Sequence, residues 1–232
     1  MFKLSQTTIA NIKKGSFKLE KCIEAMQKNI DKRFVEEIPQ GEAQASGNIQ
    51  FHVPVFPLVQ SKPFKEDKIR LVYDAAAKYH GVRLNVALYQ GPDLTNSLRG
   101  ILLRFREKSV AVCADIASMF NAFKIPSQHS DVLRFFWPHK NNFDNNLVEY
   151  RAFSHVFGCT SSPAVASYWL KYAVHDVTWN ELMASRRYIE ESFYVDDGLC
   201  CTDTVEEAIT LLKGAVNPLA RRNIRGGMFH DR

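Results

Sequence analysis

The sequence is most informative at first through what it lacks. Its five cysteines form no CxxC pair and show no spacing like a disulfide framework, so a reducing compartment is expected, with Cys113, Cys200 and Cys201 as small buried residues. None of the seven histidines pairs at helical ligand spacing, which argues against a zinc site. The N-terminus carries no apolar signal core, and no apolar run is long enough to cross a bilayer. The expectation is a soluble intracellular protein with no membrane partner; cytoplasm and nucleus are not distinguished. No internal repeat and no low-complexity tract is present.

What remains is ordinary globular material. The 232 residues are 46% hydrophobic and 24% charged, enough to bury a substantial core. The net charge of +5 suits a polyanionic partner without demanding one.

One stretch concentrates chemistry. Phe193-Tyr194-Val195-Asp196-Asp197-Gly198-Leu199 places apolar residues on both sides of an Asp-Gly step. That pattern predicts a tight hairpin whose Asp-Gly pair supplies the positive φ angles of a type I′ turn. Two adjacent carboxylates at its tip repel one another, which a divalent cation relieves. A solvated Asp-rich turn is the competing reading.

Other segments supply context. Leu19, Ile23, Met26 and Ile30 share one helical face. Gly41 to Gly47 reads as a linker, which suggests a segment 1–50 leading into a larger region 51–232. Val53 to Val59 is extended, and its prolines confine it to a sheet edge. Lys62, Lys65, Lys68 and Arg70 form a basic hairpin, either a solvated loop or cations that reach for phosphates. Beyond Gly91-Pro92 a helix capped by Thr95 is expected, with Leu98, Ile101, Leu102 and Phe105 buried and Arg99, Arg104 and Arg106 toward solvent.

Val110 to Ala114 reads as a central strand covered on both faces, and it ends in Asp115. That aspartate suits either a metal ligand at a strand exit or a helix cap. Ser162 before Pro163 reads as the cap of a helix running to about Asp176, preceded by the small-residue loop from Gly158. Thr204-Val205-Glu206-Glu207 is a capping box for a further helix.

In order, the segments are Lys68-Ile69-Arg70-Leu71-Val72-Tyr73-Asp74, Gln90-Gly91-Pro92-Asp93-Leu94-Thr95-Asn96-Ser97-Leu98, Ala114-Asp115-Ile116-Ala117-Ser118-Met119-Phe120, Phe157-Gly158-Cys159-Thr160-Ser161-Ser162-Pro163 and Phe193-Tyr194-Val195-Asp196-Asp197. As an ordered set they resemble the reverse transcriptases of retroviruses and long-terminal-repeat retrotransposons, and those of the Bel/Pao group most. The likeness runs from about residue 50 to the end.

The resemblance implies an α+β right-hand polymerase fold: a palm of antiparallel sheet with helices on one face, plus partial fingers, the thumb missing. It implies that Asp115, Asp196 and Asp197 hold two Mg²⁺ ions, with Mn²⁺ as an alternative, and that the Ile116 carbonyl adds a ligand. Arg70, with Lys68, matches the group that holds the incoming dNTP, and Phe120 matches an aromatic gate against a 2′-hydroxyl. Tyr194, Phe157, Gly158 and Pro163 match positions near the template and primer. The implied partners are dNTPs and an RNA or DNA template with its primer. The resemblance further implies that thumb, ribonuclease H and integrase regions belong downstream, in a longer polyprotein of which this chain is a part. Gly226 to Arg232 follows the family's glycine-glycine-aromatic segment loosely. The competing reading, from another class, is a catalytically silent remnant that at most binds nucleic acid.

Overall fold

The computed structural model describes residues 2–13, 19–39, 41–42, 49–175 and 183–221. The Gly41 to Gly47 linker lies mostly outside them, as does the Gly226 to Arg232 segment, whereas the Ser-Pro helix expected to reach about Asp176 ends at Tyr172, with Ala173 as its cap. No helix of the described residues is long and apolar enough to cross a membrane.

The fold is α+β with antiparallel sheets. Contacts divide it into two compact units, one of residues 1–89 and 124–160, the other of 90–123 and 161–232. In the first unit, helix α1 (Phe2–Asn11) and helix α2 (Leu19–Asp31) precede strand β1 (Val35–Glu37). The apolar stripe of α2 behaves as its spacing predicts, with Met26 and Cys22 fully buried. Strands β2 (Val55–Lys62) and β3 (Lys65–Tyr73) pair as a hairpin. Pro57 sits in β2 opposite Leu71, tolerated because a two-stranded ribbon leaves an edge free of ladder bonds. A short helix α3 (Leu84–Ala87) follows.

The unit is completed by strands β5 (Arg134–Pro138) and β6 (Leu147–Ala152), which form a sheet in the order β1-β6-β5. None of these three strands carries a motif. Trp137, Phe135 and Tyr150 fill the core beside Val53 and Tyr73. Arg134, only 1% exposed at its side chain, is held by Asp131 at 2.7 Å and Glu149 at 3.1 Å. A buried guanidinium needs such partners, since unpaired it would carry a desolvation cost of several kcal/mol, on the order of 3–5.

In the second unit, helix α4 (Leu98–Arg104) leads to strand β4 (Val110–Asp115) and helix α5 (Met119–Ala122). After helix α6 (Ser162–Tyr172) come helix α7 (Met183–Glu191), strand β7 (Phe193–Tyr194), strand β8 (Asp197–Thr202) and helix α8 (Val205–Arg221). The sheet order is β4-β8-β7. Hence β8, not β4, is central, and β4 is covered on one face only: Val112 and Ala114 are buried while Ala111 and Cys113 are exposed. A short apolar run has no periodicity strong enough to separate one covered face from two.

The cysteine expectation changes with it. Cys22 and Cys159 are the buried thiols, Cys200 and Cys201 are half-buried, and Cys113 is exposed.

The helix starts also shift. Ser97, not Thr95, caps α4, its hydroxyl accepting from Gly100 N at 3.4 Å. The Thr95 N–H instead donates to Asp93 Oδ1 at 3.0 Å in an Asx turn. On α4 only Ile101 is fully buried, whereas Leu98 and Leu102 are more than 40% exposed. The helix is under two turns long and inserts a single side chain. Ser161 precedes α6, and Ser162 is buried inside it beside Pro163. Half of the capping box forms as expected: Glu207 N–H donates to Thr204 Oγ1 at 3.2 Å, while the Glu207 carboxylate accepts from the N–H of Asp203, one residue ahead of the cap, at 3.1 Å.

Candidate active site

The acidic hairpin forms, but its turn lies one step earlier than Asp-Gly spacing predicts. Tyr194 pairs with Asp197, so the two turn residues are Val195 and Asp196. The positive φ belongs to Val195, at 58°. A β-branched residue in that region is strained, and such strain concentrates at functional turns.

Gly198 is therefore needed for space rather than for turn geometry. A Cβ there would stand 2.5 Å from the Tyr188 hydroxyl and 2.6 Å from Phe193 Cζ. Phe193 lies across from Gly198 on the same covered face, and Tyr188 reaches up from α7. The buried Tyr188 hydroxyl has no hydrogen-bond partner among the described residues, and burial pushes it well above the usual phenol range.

Strand register then brings the acids together. Asp115, the last residue of β4, lies directly across from Asp197. Ile116 N–H donates to Asp196 O at 3.0 Å, which makes Asp115–Asp197 a pair without ladder bonds of its own. In such pairs the side chains stand closest, with Cα atoms about 4.5 Å apart. Both carboxylates share the open face of the sheet with Cys113 and Tyr194, the latter 39% exposed. No Lys or Arg among the described residues is bonded to Asp115 or Asp197. Like charges directly opposite are destabilising, so this pair fits a cation by its donor chemistry.

Asp196 occupies the turn and is half-buried. No three His, Cys, Asp or Glu side chains among the described residues are gathered closely enough to hold a metal ion. Asp115 is not a helix cap either: Ser118, with φ 55°, precedes α5. Ile116 and Phe120 follow Asp115 and are 2% and 8% exposed, so the Phe120 ring is mostly enclosed. Pro163 opens α6.

The remaining candidates belong to the first unit. Arg70 and Lys68, two apart on β3, are both exposed and point to the same side of the hairpin. The Arg70 guanidinium lies over the Phe157 ring, 5.6 Å from its centroid. Ring contact orients the fork, and no acid among the described residues bonds to its N–H edges. Gly158 has φ 111°, and a Cβ there would fall 2.0 Å from the Tyr73 carbonyl oxygen. The close approach it permits is thus to the protein's own β3. Asn85 clasps this loop, donating to Gly158 O and accepting from Thr160 N–H, both at 2.9 Å. No sequence signal singles out Asn85, because a loop asparagine has too many local uses.

The sequence matches no family model and no curated protein. Solved structures do match. The foamy viral protease-reverse transcriptase dRH in complex with double-stranded DNA is 17% identical with TM-score 0.61, covering 86% of this chain and 29% of that one. The native prototype foamy virus protease-reverse transcriptase is 16% identical with TM-score 0.57, covering 85% and 21%. The foamy viral enzyme in complex with an RNA/DNA hybrid gives the same identity, score and coverage. The chain thus spans between a fifth and a third of the neighbours' length, and it has a reverse-transcriptase-like fold with a palm-like antiparallel sheet.

Proposed function

We propose that this chain is the fingers and palm of an RNA-directed DNA polymerase of the Bel/Pao retrotransposon kind, part of a longer polyprotein. The carrying observation is Asp115 set across from Asp197 on the open face of the β4-β8-β7 sheet. Asp115 and Asp197 would hold Mg²⁺ through hard carboxylate oxygens, and the family resemblance assigns the turn residue Asp196 as a third ligand that would join them on metal binding. Bound there, two divalent cations supply Lewis acidity to the primer 3′-hydroxyl and charge neutralisation to the departing pyrophosphate.

The chain's own residues do the rest. Asp115 and Asp197 concentrate negative charge at one end of the sheet. Arg70, braced on Phe157, offers a planar fork to phosphate oxygens of a dNTP, and Lys68 adds a second cation. Phe120 excludes a 2′-hydroxyl by bulk, and Tyr194 flanks the acids on the open face. Phe157, Gly158 and Pro163 belong to the segments that would meet the template.

A second reading is a chain that keeps the fold and binds nucleic acid without polymerising. The lack of a three-ligand cluster among the described residues favours it. Primer extension on poly(rA)-oligo(dT) with Mg²⁺ or Mn²⁺ separates the two. Incorporation abolished by Asp196→Asn or Asp197→Asn is expected for the polymerase, with Phe120→Ala admitting ribonucleotides. Binding without incorporation is the remnant's result.

A further inference from the structure

The segment from Gln90 to Ser97 forms no strand, yet one of its side chains reaches the acidic hairpin. Asn96 Nδ2 donates to Glu190 O and to Phe193 O, both at 2.9 Å. These carbonyls lie on either side of the bend where α7 ends and β7 begins. Asn96 Oδ1 faces Lys171 Nζ at 3.5 Å, and that ammonium also donates to Leu94 O at 3.0 Å. The amide can take only this orientation, with nitrogen toward two carbonyls and oxygen toward a cation.

The last carbonyls of a helix have no partner within it. On α7, Asn96 serves Glu190 O, and Arg104 Nη2 serves the adjacent Glu191 O at 2.6 Å. Phe193 O is different, because it belongs to the first residue of the hairpin. One side chain therefore ties the helix end to the strand that carries Tyr194 into its pairing with Asp197.

We propose that Asn96, locked by Lys171, is a positioning residue for the acidic hairpin. It sets the angle at which β7 leaves α7, and through β7 the placement of Asp196 and Asp197 against Asp115. The catalytic consequence rests on the polymerase reading; the structural clamp does not.

Asn96→Asp keeps the shape but turns the donor into an acceptor facing two carbonyls, and Asn96→Ala removes it. Amide hydrogen exchange on the whole chain is the first measurement. Both variants should speed exchange of residues 193–199 by about tenfold, with residues 205–221 and 55–73 unchanged. Lys171→Met should act in the same direction and less. Unchanged protection at 193–199, or equal loss everywhere, overturns the clamp. Where the parent chain extends primers, Asn96→Asp should lower kcat with the dNTP KM within about twofold. An unaltered kcat overturns the positioning role. A parent chain that extends nothing sinks the polymerase reading instead, while exchange still decides on Asn96.

Discussion

Asp115 and Asp197 face each other across β4 and β8 in a pair without ladder hydrogen bonds, and no basic side chain among the described residues bonds to either. That relationship opposes stability and serves charge. Asp115→Asn or Asp197→Asn should leave the metal-free protein as stable or firmer by roughly 0.2–1 kcal/mol, since like charges across a sheet repel. The same variants should lose any rise in Tm on adding Mg²⁺. Thermal melts with and without the cation check both halves, and a variant that is less stable without metal and still gains from it contradicts the assignment.

Two glycines are spatial requirements. Gly158→Ala places a Cβ 2.0 Å from a main-chain oxygen at a φ of 111°, and backbone cannot yield as a flexible tip can. We expect a loss of at least about 3 kcal/mol. Gly198→Ala meets ring and hydroxyl instead and should cost about 1–3 kcal/mol. Tyr188→Phe deletes a buried hydroxyl that has no partner among the described residues, so it should be neutral or stabilising by up to about 1 kcal/mol. Urea titrations of the three variants give the order directly.

Acid sensitivity should track His155. Burial holds its imidazole below the ordinary 6.5, because the charged form is poorly solvated there. The unfolded chain therefore binds the proton first, so stability is full above about pH 6.5 and declines as pH falls toward the folded value. His155→Gln should flatten Tm between about pH 7.5 and pH 5.5. An equally steep decline in the variant would assign the effect elsewhere.

Thiol labelling should be selective. Cys113 is exposed, whereas burial raises Cys22 and Cys159 to about 11 and Cys200 to about 12. Thiolate is the reactive form, so maleimide should modify Cys113 first in the native protein. On the polymerase reading, the adduct should also block primer extension, because Cys113 shares the open face with Asp115. Mass mapping of the first modified peptide settles the order.

Much of this was legible from spacing alone. The α2 stripe, the strand confined by Pro57 and the Thr204–Glu207 box depend on neighbours within a few residues, where local chemistry decides. The register that faces Asp115 with Asp197 joins positions far apart in the chain, and no local rule carries it. The turn misled for a related reason. Asp-Gly is a strong hairpin signal, but here packing against Tyr188 and Phe193 claims the glycine and leaves Val195 to bear the positive φ. Asn96 and Asn85 were invisible, since their partners are main-chain carbonyls, which every residue has.

The chain passes between its two units near residues 89, 123 and 160, so each unit is assembled from separated stretches. Neither can be excised as one continuous piece: a cut near 89 or 160 would divide one unit, and a cut near 123 would divide both. Along the polypeptide the strand bearing Asp115 is completed before residues 124–160 of the other unit exist, and its partner β8 arrives only after them. Newly made β4 must therefore wait, unpaired along the edge that β8 will take, until more than seventy further residues have been joined.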